Sequence, residues 1–153
     1  MRKAHLLISG AWLLQAVAWF LPATKGFMDG LVDPVPGWQA FLFATSAFRL
    51  FGGGFDTWYA AVLAAISVIT TLLFIFGSPW VVWRGSRPTR RVAAWIAAAA
   101  FVVNVHWYIL TRSESPVLGI GYFLWWWSFA LLTIGLFDLA RQTAPGVSAP
   151  QPI

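Results

Sequence analysis

A short arginine-rich segment between two long apolar runs constrains the fold of this chain more than any other feature. Four arginines lie within eight residues there, at positions 84, 87, 90 and 91. Each flanking run is long enough to cross a bilayer as a helix, which takes ~20 residues. Short loops rich in arginine and lysine stay on the cytoplasmic side of a membrane. The segment therefore predicts two helical hairpins that meet at the inner face.

The composition also indicates a membrane protein. Of the 153 residues, 59% are hydrophobic and 10% are charged, and the mean hydropathy is +0.73. Soluble domains carry about 25% charged residues. The net charge is +5, but most of the positive residues flank predicted membrane segments, so topology accounts for them and no nucleic-acid partner is expected. These flanking residues are Arg2, Lys3, Arg84, Arg87, Arg90, Arg91 and Arg141.

The sequence lacks the residues that several classes of catalytic and metal chemistry require. There is no cysteine, which excludes thiolate metal sites, iron–sulfur clusters and disulfide exchange. Paired carboxylates, a Ser/His/Asp arrangement and an HExxH motif are also missing. The central turns of the predicted spans contain no charged residue, so proton coupling through a carboxylate is not expected. We predict no catalytic residue, no metal site and no cofactor.

The hydrophobic pattern predicts an all-α fold, an integral membrane four-helix bundle in a single domain, residues 1–142. The predicted spans are 5–21, 57–77, 92–110 and 117–140, with both termini on the cytoplasmic side. Residues 23–37 are predicted to form an external loop. The tail, residues 143–153, is rich in Pro, Ala, Gly and Ser and is predicted to be disordered.

The apolar stretch 38–51 is too short to cross a bilayer. Gln39, Ser46 and Arg49 fall on one helical stripe of it. This pattern predicts one additional amphipathic helix lying at the external interface. A re-entrant half-helix is the alternative.

Pairs of alanines four residues apart occur in the second and third predicted spans. Small residues at this spacing let helix backbones approach closely in a membrane. We therefore predict that these two spans form the tight pair of the bundle, unless the alanines merely reflect composition. The pairs are Ala60/Ala64, Ala61/Ala65, Ala93/Ala97 and Ala94/Ala98.

Polar and aromatic residues concentrate in the outer half of the predicted bundle. Asn104 and His106 lie roughly 8–11 Å from the external end of the third span, and the tryptophans 125–127 about 12–15 Å from that of the fourth. Their depths match, which suggests an aromatic, partly polar pocket roofed by the 38–51 helix. The alternative is that the tryptophans anchor and fill the bundle while the polar residues join its helices. The candidate ligand-binding residues are Gln15, Arg49, Trp58, Asn104, His106, Trp125, Trp126 and Trp127.

Short segments of the chain resemble those of small bacterial four-span membrane proteins. They are Trp19-Phe20-Leu21-Pro22, Gly37-Trp38-Gln39-Ala40-Phe41 and Gly121-Tyr122-Phe123-Leu124-Trp125. The resemblance implies a multi-pass protein of a bacterial inner membrane and implies no activity.

Three functions remain open on the sequence alone. The first is a non-enzymatic accessory or assembly subunit that packs against a larger membrane protein or forms a homo-oligomer, surrounded by membrane lipids. The second is a binding protein for a lipid-like, isoprenoid or quinone-like molecule in the outer pocket. The third is a membrane enzyme or transporter that acts through His106 and Asn104.

Overall fold

Five helices make up most of the computed structural model, which describes residues 2–25, 34–48, 58–109 and 117–142. Three of the helices, α3 to α5, are long and apolar enough to cross a membrane. Arg49 and the tail 143–153 lie outside the described residues. The helices are α1 Arg2–Phe20, α2 Gly37–Thr45, α3 Trp58–Arg84, α4 Arg87–Ile109 and α5 Ile120–Gln142.

Helix α3 continues past Pro79, beyond the end predicted at residue 77. Proline has no N–H to donate within a helix. One π-helical turn, Leu73–Gly77, precedes it, and the Ser78 hydroxyl donates to the carbonyl oxygen of Phe74 over 2.6 Å. This side-chain hydrogen bond satisfies a backbone acceptor close to the proline, and the helix runs on to Arg84.

The arginine-rich segment forms a tight connection between α3 and α4. Ser86 caps α4, because its Oγ accepts the backbone N–H of Thr89 at 3.4 Å. The Arg90 Nη2 atom donates to the carbonyl oxygen of Val82 at the end of α3, over 3.1 Å. Helix α4 therefore begins at Arg87, earlier than the predicted residue 92.

Helices α1 and α5 form the closest pair in the bundle and run antiparallel. A Cβ atom added to Gly135 would lie 2.6 Å from Cγ1 of Ile8, and one added to Gly121 would lie 3.1 Å from the carbonyl oxygen of Ala18. Seven-residue spacing of small residues keeps one face of a helix against its neighbour. The buried alanines of α1 have this spacing: Ala4, Ala11 and Ala18.

The prediction that the second and third spans form the tight pair is wrong. Helices α3 and α4 approach each other over few residues, whereas α4 packs along α5. Ala64 of α3 packs on Ala44 of α2, and Ala97 of α4 joins the core that α1 and α5 share. Helices α1 and α5 approach each other most closely because the glycines of α5 have no Cβ to hold the two backbones apart.

A small three-stranded antiparallel sheet lies at the end of the bundle where α1 ends and α5 begins. Its strands are β1 Pro22–Lys25, β2 Val35–Pro36 and β3 Val117–Leu118, in the order β2-β1-β3. The Gly119 N–H donates to the carbonyl oxygen of Ala23 over 2.8 Å, and a Cβ at Gly119 would collide with the carbonyl oxygen of Pro22. The predicted external loop thus contains strands, and α5 begins at Ile120 rather than at residue 117.

Helix α2 packs on the ends of α1 and α3 next to this sheet. The Gly37 N–H donates to the carbonyl oxygen of Leu21 over 3.0 Å, and the rings of Trp19 and Phe41 lie 5.3 Å apart. The α-helix ends at Thr45 and continues as a 3-10 turn, Ser46–Phe48. A short additional helix is therefore present, and residues 49–51 of its predicted range lie outside the described part of the chain.

Candidate functional site

Asn104 is the centre of a buried polar network between α3 and α4. Its side chain is fully buried, and its Oδ1 accepts the hydroxyl proton of Ser67 over 2.6 Å. Its Nδ2 donates to Thr70 Oγ1 over 3.2 Å and to the Ala100 carbonyl oxygen over 2.8 Å. Both donor positions of the amide and its oxygen are thus engaged within the protein.

Aromatic donors extend this network to α5. The Trp107 indole N–H donates to Ser67 Oγ over 3.0 Å, and that of Trp125 donates to Thr71 Oγ1 over 3.1 Å. The Tyr122 hydroxyl donates to the backbone carbonyl oxygen of Asn104 over 2.8 Å. The network therefore connects three helices through hydrogen bonds that in hydrocarbon have no water to replace them.

The tryptophan triplet is divided between the bundle and its surface. Trp126 stacks on Phe101 with ring centroids 4.6 Å apart, and its indole N–H donates to the Phe101 carbonyl oxygen over 2.7 Å. Trp125 and Trp126 both turn toward neighbouring helices, whereas the Trp127 side chain is 53% exposed. Successive helical residues project about 100° apart, so the three indoles cannot share one environment.

His106 is buried beside this network but does not join it. Its Nδ1 lies 2.8 Å from the carbonyl oxygen of Val103, and its ring centroid lies 4.8 Å from that of Trp107. Its Nε2 is buried and has no hydrogen-bond partner in the structure. No group of three His, Asp or Glu side chains in the described part of the chain is placed to hold a metal ion.

The remaining candidate residues are not assembled around Asn104. Gln15 is buried between α1 and α5, where its Oε1 lies 2.7 Å from Ser128 Oγ and its Nε2 has no partner. Trp58 is 79% exposed and its described ring contact is with its neighbour Tyr59. Arg49 lies outside the described residues.

Three hydroxyl residues of α3 belong to the site and were not predicted. Ser67, Thr70 and Thr71 supply the α3 side of the network. Their spacing of three and four residues places them on one face of an otherwise apolar helix. Hydroxyl residues on one face of a membrane helix indicate hydrogen bonding to a neighbouring helix, so the sequence did carry a signal.

A cleft lies between α3 and α4, with α5 as its floor, and reaches the polar network at Thr70 and Ala100. Its volume is about 120 Å³. Leu73 and Val81 line the α3 wall, Ala93 and Ala97 the α4 wall, and Leu132 is on the floor. This apolar cleft extends toward the arginine-rich end of the bundle, whereas the sequence predicted a pocket near the opposite end.

An aromatic seam runs along the outside of α4 and α5, formed by Trp95, Phe101, Trp127 and Phe137. The rings of Trp95 and Phe137 lie 5.2 Å apart and those of Phe101 and Trp127 5.5 Å apart. Trp95 is 67% exposed. Neither the Trp95 nor the Trp127 indole N–H has an acceptor among the described residues.

Comparisons of the chain with protein-family models, with curated proteins and with solved structures give no match.

Proposed function

We propose that this chain is a non-enzymatic subunit of a larger assembly in a bacterial inner membrane, crossing the bilayer four times with both termini cytoplasmic. Its polar interior favours this function over a chemical one. The amide of Asn104 and the indole N–H groups of Trp107, Trp125 and Trp126 are engaged in internal hydrogen bonds. Such groups join helices to one another.

Helix α1 supplies the fourth crossing in this proposal, although it is less apolar than α3, α4 and α5. Its 19 residues extend about 28 Å at ~1.5 Å per residue, close to the ~30 Å of the hydrocarbon core. It lies along α5 from Ala18, beside Gly121, to Ala4, beside Gly135. A helix paired with a membrane-spanning α5 over this length crosses the membrane with it.

The observation that carries the proposed function is the aromatic seam. Trp95 lies about 12 Å from the start of α4 at Arg87, and Trp127 about 10 Å from the start of α5 at Ile120, at ~1.5 Å per residue. Both depths lie within the hydrocarbon core, whereas tryptophan prefers the membrane interface. An indole N–H without an acceptor in hydrocarbon is unfavourable. Because α4 and α5 run antiparallel, the two tryptophans lie nearer opposite ends of the bundle. A partner helix with a carbonyl or hydroxyl group at each of these depths would supply the acceptors.

Site-specific photo-crosslinking tests the proposed function. A photoreactive phenylalanine derivative replaces Trp95 or Trp127 in the full-length chain expressed in its own membrane. Phe76, which is 72% exposed on α3, takes the same replacement as the control. We expect positions 95 and 127 to form an adduct with the same larger membrane protein, and position 76 to form none. Trp127→Phe, which keeps an aromatic ring but removes the indole N–H, should lower copurification of that protein.

Two results would overturn the proposed function. An adduct of twice the chain's own mass from both seam positions would mean that a second copy covers the seam. Equal labelling of lipid alone from positions 76, 95 and 127 would mean that the seam faces the bilayer.

One observation favours the alternative of a lipid-like or quinone-like ligand near the network. The buried Nε2 of His106 lacks a partner, and a polar group of a ligand could satisfy it. Under this alternative, His106→Ala and Trp126→Ala reduce the amount of a copurifying lipid, measured by mass spectrometry, more than they reduce expression. Equal loss of lipid and protein would instead indicate damage to folding.

A further inference from the structure

The cleft between α3 and α4 has apolar walls, and the arginine-rich segment follows one end of it. Ala93 and Ala97 line the α4 wall. Arg90 precedes Ala97 by two helical turns and so lies on the same face of α4, and Arg87 lies one turn before Arg90. Val81 lines the opposite wall near the end of α3. The arginine-rich segment therefore follows the Val81 and Ala93 end of this apolar cleft.

The guanidinium groups at this end have donors to spare. Arg90 crosses from α4 to α3, where its Nη2 donates to the Val82 carbonyl oxygen over 3.1 Å. The Nε atoms of Arg87 and Arg90 are buried and have no hydrogen-bond partner. The one acidic residue in the described part of the chain is Asp138, whose Oδ2 accepts a hydrogen bond from Gln142. Apart from Arg90 Nη2, no Nη atom of Arg87 or Arg90 has a hydrogen bond among the described residues, and a phosphate from outside the chain would satisfy these donors.

We propose that the cleft binds an anionic glycerophospholipid of the inner leaflet, with its phosphate at Arg87 and Arg90 and one acyl chain between α3 and α4. Guanidinium groups bind phosphate through two parallel hydrogen bonds, and basic pockets between membrane helices on the cytoplasmic side are sites for anionic head groups. The cleft of about 120 Å³ approaches the ~150 Å³ apolar cavity that accommodates a benzene ring. It therefore has room for part of an acyl chain.

Native mass spectrometry of the full-length protein in mild detergent tests this site. The probes are phosphatidylglycerol and phosphatidylcholine with the same two oleoyl chains. We expect phosphatidylglycerol to bind about tenfold more tightly. Its head group carries a net negative charge that the arginines attract, whereas the acyl chains of the two lipids are the same. Equal binding of the two lipids would overturn the proposal.

Two pairs of variants locate the lipid. The double variant Arg87→Lys/Arg90→Lys keeps the charges that set the topology but loses paired hydrogen bonds to phosphate, so it should weaken phosphatidylglycerol binding severalfold. Arg91→Lys, on an exposed side chain of the same segment, is its control. Ala97→Leu should fill the cleft and displace the acyl chain, whereas Ala99→Leu on the exposed face of α4 should not.

The controls make the result decisive for the site. Unchanged binding in the double arginine variant would mean diffuse attraction to the charge of the basic segment and would overturn the proposal, as would an equal loss in the double variant and in Arg91→Lys. Unchanged binding in Ala97→Leu would also overturn it. The test uses no partner protein, so it can fail while the proposed function holds, and the reverse is equally possible.

Discussion

The Ser67 hydroxyl on α3 donates to Oδ1 of Asn104 on α4 over 2.6 Å, in the middle of a fully buried contact. Helices α3 and α4 otherwise approach each other over few residues. This hydrogen bond, with that from Asn104 Nδ2 to Thr70, therefore fixes how the two helices face each other. The stability of this arrangement should depend on polar contacts more than on close packing.

Replacing Asn104 with leucine should destabilise the protein by about 1–3 kcal/mol. The change removes two interhelical hydrogen bonds, each of which contributes about 0.6 and at most about 1.7 kcal/mol in membrane proteins. Thermal or detergent-induced unfolding of the purified protein measures the effect. Thr133→Val is the matched control, because the Thr133 hydroxyl donates to the Phe129 carbonyl of its own helix. Equal losses in both variants would contradict a special role for Asn104.

Adding one methyl group at Gly135 should separate α1 from α5. In Gly135→Ala the new Cβ would lie 2.6 Å from Ile8 Cγ1 and 3.3 Å from the Ala4 carbonyl oxygen, and such overpacking costs about 1–3 kcal/mol. The unfolding temperature should fall. Gly10→Ala is the control, since its nearest neighbour would be Leu131 Cδ1 at 4.0 Å, and it should be neutral or slightly stabilising.

A second variant separates the steric effect from other effects of the Gly135 substitution. Truncating the neighbour in Ile8→Ala should make Gly135→Ala less costly than it is in the unmodified chain. Strictly additive losses from the two substitutions would argue against the close contact.

The indole N–H of Trp12 and the hydroxyl of Ser78 should be energetically coupled. Trp12 donates to Ser78 Oγ over 2.9 Å, which ties α1 to the segment of α3 that contains Pro79. A double-mutant cycle with Trp12→Phe and Ser78→Ala should give a coupling energy of roughly 0.5–1.5 kcal/mol in unfolding experiments. Ser78→Ala should be the more costly single change, because the Phe74 carbonyl also loses its donor. A coupling energy near zero would contradict the contact.

The long apolar helices α3, α4 and α5 were the most predictable part of the fold. A chain in hydrocarbon must satisfy every backbone N–H and carbonyl group internally, so a long apolar run leaves few alternatives to a helix. The end of α3 was not predictable in the same way. Pro79 normally ends a helix, and only the side-chain hydrogen bond from Ser78 and the π turn before it explain why the helix reaches Arg84.

Helix pairing was harder to predict because spacing alone does not identify the partner. Alanines four residues apart occur on both α3 and α4, yet the closest pair is α1 and α5, where Gly121 and Gly135 lie seven residues either side of Ser128. The short strands around Pro22 and Pro36 gave no periodic signal, since strands of two to four residues are too brief to alternate recognisably.

The proximity of some candidate-site residues was predictable, whereas ligand binding by them stays a prediction. Asn104, Trp125 and Trp126 do lie together, because their depths along α4 and α5 follow from residue counting. Sequence counting could not tell whether their polar atoms face a pocket or one another. Ser67, Thr70 and Thr71 supply partners for some of these atoms, and this depends on how α3 is rotated about its axis.

The most direct test of the four-span proposal is to determine whether α1 crosses the membrane. Because the chain has no cysteine, a single introduced cysteine is the only thiol available for labelling. His5→Cys places a thiol on an exposed position near the start of α1. Trp38→Cys and Gln142→Cys are the external and internal references. With a membrane-impermeant maleimide on intact cells, four crossings predict labelling of position 38 alone, and labelling of positions 5 and 142 only after permeabilisation. Labelling of position 5 in intact cells would contradict the four-span account.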